Sequence, residues 1–474
     1  MWSKPYKMKE GFLIGGGLIL AGLILQVSIG PVVWNTFRWP VNGIMLAVLF
    51  CIIATIFLLS NKVKSLQFFA SNKAAVPALT YAVMLTIVMG LTRQEGNHWL
   101  NNMLSFWPFV LTYLYLTIIL ELVVLRQLRT WATAKFSLTA FPSSLLSHLG
   151  LFIALTTATL GSADMLRVKM VTAKGAPEWR AMDQQGMIIE LPFTIELRQF
   201  IMETYDDGKP KRYASDILIQ DKTDKNIQAT IDVNKPLDID GWKIYQFGYD
   251  TRMGAKSQTS ILELVYDPWL PIVYAGIYLL LGSVILMLLR VIPWKGSVQQ
   301  ARKHPKRAIL LFTLIMACFI CIHHFMPILH SSTLVPALQS PWFVPHIVAY
   351  MLAYTLLGAA AVMSVLSLTT SFKHMSVLNN LVYAGLAFMT IGMLFGALWA
   401  KEAWGHYWAW DPKETWAAIT WFSYLGYIHY RLIPNHKEKL ALWMLLISFA
   451  LLQMCWWGIK FLPAAQESSV HVYN

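Results

Sequence analysis

The 474-residue sequence predicts an all-α polytopic membrane protein of about eleven transmembrane helices, with one extracytoplasmic β-rich domain inserted between two of them. Three observations predict it. Apolar residues make up 56% of the chain against 13% charged, with a mean hydropathy of +0.50. Long apolar runs recur along its length, and a single polar block interrupts them.

Runs of about 18 to 24 mainly apolar residues are long enough for a hydrocarbon layer of roughly 30 Å. They fall near 11–30, 42–60, 76–91, 105–125 and 146–162, then near 268–290, 308–328, 343–370, 378–398, 416–431 and 440–458. The first counts as a span because it is long for a signal-peptide core and no small-x-small cleavage site follows it. Placing the N-terminus inside puts 19 basic residues in inner segments, among them Lys64, Lys73, Arg126, Lys303 and Arg431, against five in short outer ones: Arg38, Arg93, Lys401, Lys413 and Lys460. Short cytoplasmic loops carry such an excess. The net charge of +13 is therefore an orientation signal, and a nucleic-acid partner is not expected.

The polar block, about 164–267, holds 17 of the 25 acidic residues and 14 basic ones, so it folds in water on the outer side. Stretches such as Gly186-Met-Ile-Ile-Glu-Leu-Pro-Phe-Thr-Ile-Glu-Leu, Asp216-Ile-Leu-Ile-Gln-Asp and Gly241-Trp-Lys-Ile-Tyr-Gln alternate apolar and polar residues, as short strands do. The block has no histidine and no cysteine, and its carboxylates are scattered, which argues against catalysis there. Cys51, Cys318, Cys321 and Cys455 all fall in apolar runs, so no disulfide framework is expected.

The densest feature is Trp404-Gly-His-Tyr-Trp-Ala-Trp-Asp-Pro-Lys-Glu-Thr-Trp416, with four of the 20 tryptophans in 13 residues. Tryptophans at a helix end often form only an interfacial belt. The density, Gly405, and the alternation of Trp408 and Trp410 before a helix start point instead to a surface for a flat, partly apolar ligand. Asp411, Pro412 and Glu414 read as helix initiation: an N-cap, a proline at the first helical position and an acid two residues further on.

This pattern resembles the tryptophan-rich WWD signature of the haem-handling proteins of cytochrome c maturation. The histidines extend the resemblance. His148 opens the fifth span and His429 closes the tenth, both near the inner face; His346 opens the eighth at the outer face, and His471 lies in the outer tail. Any one of these can be a packing residue, but a bis-imidazole site needs one histidine from each of two elements at the same depth. That arrangement is available on both sides. His98, His323, His324 and His330 are weaker candidates, His304, His374 and His436 sit in basic inner loops, and His406 lines the motif at best. Cys318-Phe-Ile-Cys321-Ile-His323 misses the haem-attachment motif C-x-x-C-H by one residue and lies within a span, so it is not read as an attachment site.

The segment 140–290, with its Ser-His-Leu-Gly helix, outer β domain (about 164–267) and Asp-Pro-Trp-Leu-Pro lead-in to the next helix, resembles CcsB (ResB). Residues 291–474, with the WWD segment 404–416, the inner His-Tyr-Arg and the outer His-x-Tyr, resemble CcsA (ResC). Residues 1–139 are additional N-terminal transmembrane helices. The whole resembles a fused CcsB–CcsA system II cytochrome c synthase, although that family usually continues into one more helix after the outer His-x-Tyr.

The resemblance implies a bacterial inner-membrane protein with a cytoplasmic N-terminus and a periplasmic WWD segment and β domain. It implies haem b as substrate and bound ligand, His148, His429, His346 and His471 as axial ligands of the iron, and Trp404, Gly405, Trp408, Trp410, Asp411 and Trp416 around the haem. It further implies holocytochrome c synthase (haem lyase) activity, with an apocytochrome c carrying C-x-x-C-H and thiol-reducing proteins that keep it reduced as partners. The nucleophiles belong to the apocytochrome, so no catalytic residue beyond those that position haem is expected. Two alternatives remain open: a haem transporter serving a separate lyase, and a quinol-coupled haem oxidoreductase, which an open tryptophan surface argues against.

Overall fold

The computed structural model describes residues 6–94, 98–136, 142–221, 226–291, 334–370 and 374–462. The expected span near 308–328, Cys318, Cys321, His304, His323, His324, His330 and His471 lie outside these residues. Among the described residues ten helices follow in chain order: α1 (Met8–Ile29), α2 (Val41–Leu59), α3 (Asn72–Leu91), α4 (Trp107–Thr133), α5 (Ser143–Gly161), α6 (Leu270–Val291), α7 (Phe343–Thr369), α8 (Met375–Trp404), α9 (Pro412–Arg431) and α10 (Glu438–Gln453). Past its end α10 runs through a π turn and a 3-10 turn to Phe461.

Among the described residues, nine helices are long and apolar enough to cross a membrane, counting α10 with its extension. The protein is thus a multi-pass membrane protein. The exception, α9, is 20 residues long and carries Lys413, Glu414, His429 and Arg431. It tolerates this polarity because α3, α8 and α10 pack around it, burying Trp416, Trp421, Tyr424, Tyr427 and Tyr430. A helix enclosed by protein need not present an apolar surface to lipid.

The remaining helices pair mostly with chain neighbours: α5 with α6, α7 with α8 and α10, α1 with α3 and α4. The long-range α3–α9 contact joins the first helices to the last ones. At one end of it lies Gly90, whose carbonyl accepts from Trp416 Nε1 at 3.3 Å. A Cβ at Gly90 would stand 2.9 Å from that same nitrogen, so only glycine lets the two helices meet this closely here.

Between α5 and α6 the chain forms eight strands: β1 (Leu166–Ala173), β2 (Pro177–Asp183), β3 (Ile188–Thr204), β4 (Pro210–Asp221), β5 (Asn226–Asp232), β6 (Leu237–Ile239), β7 (Trp242–Tyr249) and β8 (Thr259–Tyr266). They make one antiparallel sheet in the order β5-β4-β3-β2-β1-β8-β7-β6. The strands read from sequence fall in β3, β4 and β7. Alternation works as expected: Leu191, Phe193, Ile195 and Leu197 of β3 point inward and join Val168, Ile217, Ile244 and Leu264 in one apolar core. The sheet curls so that β4 meets β7 and β8, where Ser215 Oγ lies 2.6 Å from both Gln246 Oε1 and Ser260 Oγ.

Because the domain leaves α5 and returns to α6, it sits at one end of the helix bundle. Asp164 fixes the junction by accepting from Trp39 N, Asn42 Nδ2 and Trp269 Nε1, each at 2.7 Å. Desolvation opposes ionisation of this carboxyl, but the three donors, with Arg38 nearby, hold it below the usual aspartate range.

Candidate functional site

At the end of the bundle away from the sheet, the second turn of α5 and the last turn of α9 bring His148 and His429 together. Their ring centres are 6.3 Å apart and their planes are inclined at 79°. A ring nitrogen about 2 Å from a metal on each side, with each ring centre roughly 1 Å further out, spaces two opposed imidazoles about 6 Å apart. In both rings Nδ1 faces a main-chain carbonyl four residues back, Ser144 O for His148 and Leu425 O, at 2.8 Å, for His429. A carbonyl can only accept, so Nδ1 carries the proton and Nε2 carries the lone pair. A histidine held in one tautomer through its other nitrogen is the usual form of a metal ligand.

Both histidines line a cavity of about 1290 Å³ between α3, α4, α5, α6, α8 and α9. Ligand pockets usually hold roughly 300 to 1,000 Å³, so this one has room for a ligand of macrocycle size. Its wall is apolar over much of its area, including Leu79, Leu116, Leu151, Leu280, Leu386 and Phe422. Where the cavity reaches Lys64, Lys73 and Arg126, at the same end of the bundle as the histidines, the wall becomes polar.

The opposite end holds the tryptophan motif. Asp411 caps α9 as expected: its carboxylate accepts from Glu414 N at 2.8 Å, Glu414 Oε2 accepts from Asp411 N at 3.3 Å, and Pro412 takes the first position. Glu414 Oε2 also accepts from Ala409 N at 2.7 Å, which ties the preceding loop to the helix start. The motif's rings fall into groups. Trp404 lies 5.1 Å from Trp399, which lies 5.8 Å from His346. His346 Nδ1 faces Gly392 O at 2.8 Å, the same tautomer as His148 and His429. Trp408 stands edge-on to Trp410 at 5.7 Å, and Trp410 packs against Phe109 and Tyr113 of α4. Trp408 Nε1 is buried with no hydrogen-bond partner in the described protein. Trp416 is only 4% exposed and serves the α3–α9 contact.

A joint to the β domain was not visible in the sequence. Arg167 of β1 forms a two-pronged ion pair with Glu263 of β8 and also donates Nη2 to Trp404 O at 2.9 Å. Beside it Lys401, 1% exposed, lies 3.6 Å from Asp267 Oδ2 and donates to Gly405 O at 3.1 Å. Two ion pairs therefore hold the carbonyls of consecutive residues at the start of the motif. Gly405 turns the chain with φ +76°, and a Cβ there would meet Val265 and Tyr245 of the sheet at 3.1 and 3.2 Å. Burial pushes the phenols of Tyr245 and Tyr407 up, so both are neutral and the joint's charge rests on these two pairs. By charge Lys401 counts as an outer-loop cation, and nothing local in the sequence points to its burial here. No cluster of three or more histidine, cysteine or acidic side chains suited to a metal ion occurs among the described residues.

The ResB-like family matches residues 143–262, and the Cytochrome C assembly protein family matches residues 272–465. Similar proteins include the cytochrome c biogenesis protein CcsA of Chlamydomonas reinhardtii, 36% identical over 152 residues (29% of this chain and 43% of that protein). CcsA of Guillardia theta is 32% identical over 171 residues (29% and 57%), and CcsA of Prochlorococcus marinus (strain AS9601) is 32% identical over 195 residues (33% and 62%). The chain thus spans less than two thirds of the length of each of these relatives.

Proposed function

The chain joins a ResB-like segment to a cytochrome c assembly segment, the fused CcsB–CcsA arrangement of system II, and on that premise we propose that it carries haem across the membrane and attaches it to apocytochrome c. The observation that carries this reading is the pairing of His148 and His429, one from each family segment, within a cavity of macrocycle size. Haem enters that cavity and takes Nε2 of both rings as axial ligands. It then passes to the tryptophan motif, where His346 and His471 take over ligation. The buried Trp408 N–H supports a ligand surface there, since an unpartnered buried donor costs about 1–3 kcal/mol unless something supplies an acceptor. Trp416 contributes by packing, and Asp411 by setting the start of α9 and with it the motif's position.

At the motif, two thiols of C-x-x-C-H on the apocytochrome add across the two vinyl groups. In each addition a C–S bond forms at one vinyl carbon and the thiol's proton ends on the other, with no net electron transfer. The thiols must be reduced and partly ionised, which assigns thiol-reducing partners a role. The chain supplies position: axial ligands hold the iron, and the aromatic rings hold the macrocycle plane.

The test is co-expression with an apocytochrome bearing C-x-x-C-H in cells lacking other maturation systems, scored for haem that survives denaturing electrophoresis. Covalent product that depends on His148 and His429 is the expected result. Haem delivered outside without covalent product would make the protein a transporter serving a separate lyase. Haem reduction by quinol without delivery would make it an oxidoreductase.

A further inference from the structure

We propose that Lys73 and Arg126 bind the two propionate carboxylates of haem at the mouth of the inner cavity, and so fix which edge of the macrocycle goes in first. The inference rests on the haem reading above and adds to it the recognition of the ligand's charge. Its carrier is an imbalance in the cavity wall: three cations, Lys64, Lys73 and Arg126, and no aspartate or glutamate among the described lining residues. None of the three forms an ion pair with a described residue within 4.0 Å; Arg126 spends one N–H on Ala70 O at 3.1 Å.

The surroundings favour an anion at this place. Lys73 sits in the first turn of α3, a helix of 20 residues whose Ser71 makes no side-chain cap, and Ser71, Asn72 and Lys73 all line the cavity. The positive end of that helix dipole therefore adds to the side-chain charge. Arg126 lines the same mouth from α4, tied to the loop before α3 by its bond to Ala70 O, and can grip a carboxylate with two parallel N–H groups. Ser144 and Ser147, from the first turns of α5, add hydroxyls on the His148 side.

Opposite this polar rim the wall is aliphatic and aromatic: Leu79, Leu116, Leu155, Leu280 and Phe422. A macrocycle with two carboxylates on one edge and two vinyls towards the other matches that division. Carboxylates at the rim keep their charge near water and cations, while the vinyl edge is buried in the aliphatic depth. The reverse orientation would bury two carboxylates among leucines and leave the cations unmatched.

The experiment titrates haemin and haemin dimethyl ester, which lacks the charged carboxylates, into the purified full-length protein in detergent and reads the low-spin spectrum. Wild type should bind haemin at least tenfold more tightly than the ester. In Lys73→Gln and Arg126→Gln that preference should shrink about tenfold each, with ester binding unchanged, and Arg126→Lys should restore part of it. Equal affinity of wild type for both porphyrins, or full haemin preference in the variants, would overturn the proposal while leaving haem binding intact. If neither porphyrin gives a spectrum that depends on His148 and His429, the haem reading itself fails and this inference goes with it. The wild-type comparison stands even where a variant does not fold.

Discussion

Arg167, on the first strand of the β domain, donates Nη2 to the main-chain carbonyl of Trp404 at 2.9 Å, across 237 residues of sequence. The guanidinium is held flat by Glu263, so the carbonyl meets a donor that is already oriented. Through this bond the β domain supports the tryptophan motif.

Arg167→Ala should therefore cost more than a surface ion pair. Glu263 is only 2% exposed, and leaving its charge unmatched is expected to destabilise the protein by about 3–5 kcal/mol. The double variant Arg167→Met with Glu263→Met should recover most of that loss but not the bond to Trp404. Thermal unfolding of detergent-solubilised protein measures the first effect, and covalent cytochrome yield the second. A yield as high as wild type in the double variant would show that the Trp404 bond does not matter for the motif.

The proposed passage of haem from His148 and His429 to the tryptophan motif predicts an order of events. Replacing His148 or His429 with Ala should leave the protein nearly free of haem, because nothing reaches the motif. Replacing His346 or His471 should leave haem present but with altered axial ligation. Cytochrome attachment should fail in all four. Haem per protein, measured together with the visible spectrum, separates the classes. Full occupancy in the inner variants with none in the outer ones would mean that haem loads from the outer side.

Gly396→Ala tests His346 without removing it. A Cβ at this position would stand 2.8 Å from His346 Cε1 and 2.9 Å from Nδ1, so the ring must rotate off Gly392 O. Overpacking of this kind costs about 1–3 kcal/mol. The expected result is a folded protein with a shifted haem spectrum and several-fold lower covalent yield, while Gly17→Ala, with nothing within 4 Å, serves as a silent control.

Asp164 gives a pH dependence. Its folded-state pKa lies below that of an aspartate in the unfolded chain, about 3.9, despite the desolvation that opposes this. Its contribution to stability is complete above the unfolded value and fades as pH falls through the folded one. Asp164→Asn should therefore lower the unfolding temperature at neutral pH and narrow its gap to wild type below about pH 4. A gap that stays constant between pH 7 and pH 3 would rule out the carboxylate's charge as the cause.

The legible parts of this protein are those written in short range. Spans follow from apolar runs, and the Asp411 cap follows from four adjacent residues. The strands follow from alternation. The pairing of His148 with His429 was legible because topology alone sets the depth of a residue in a span, and equal depth is what two ligands need. Lys401 was not legible: counted by charge it is an outer loop residue, and only its contact with Asp267, 134 positions earlier, explains why a cation can be buried there. Trp416 illustrates the other limit. Sequence groups it with the motif, but its partner is Gly90 on a different helix, 326 residues away, and no local pattern encodes that.

His148 and His429 come from segments that match two different families, so neither segment by itself holds both rings of this pair. When two such segments are separate polypeptides, closing the pair is a bimolecular event, subject to expression ratios and to the entropy of meeting in the bilayer. On one chain it becomes a ring closure at an effective concentration set by the connecting helices, independent of how many copies the cell makes. Copy number and stoichiometry are then fixed at translation, and every molecule that folds carries both halves.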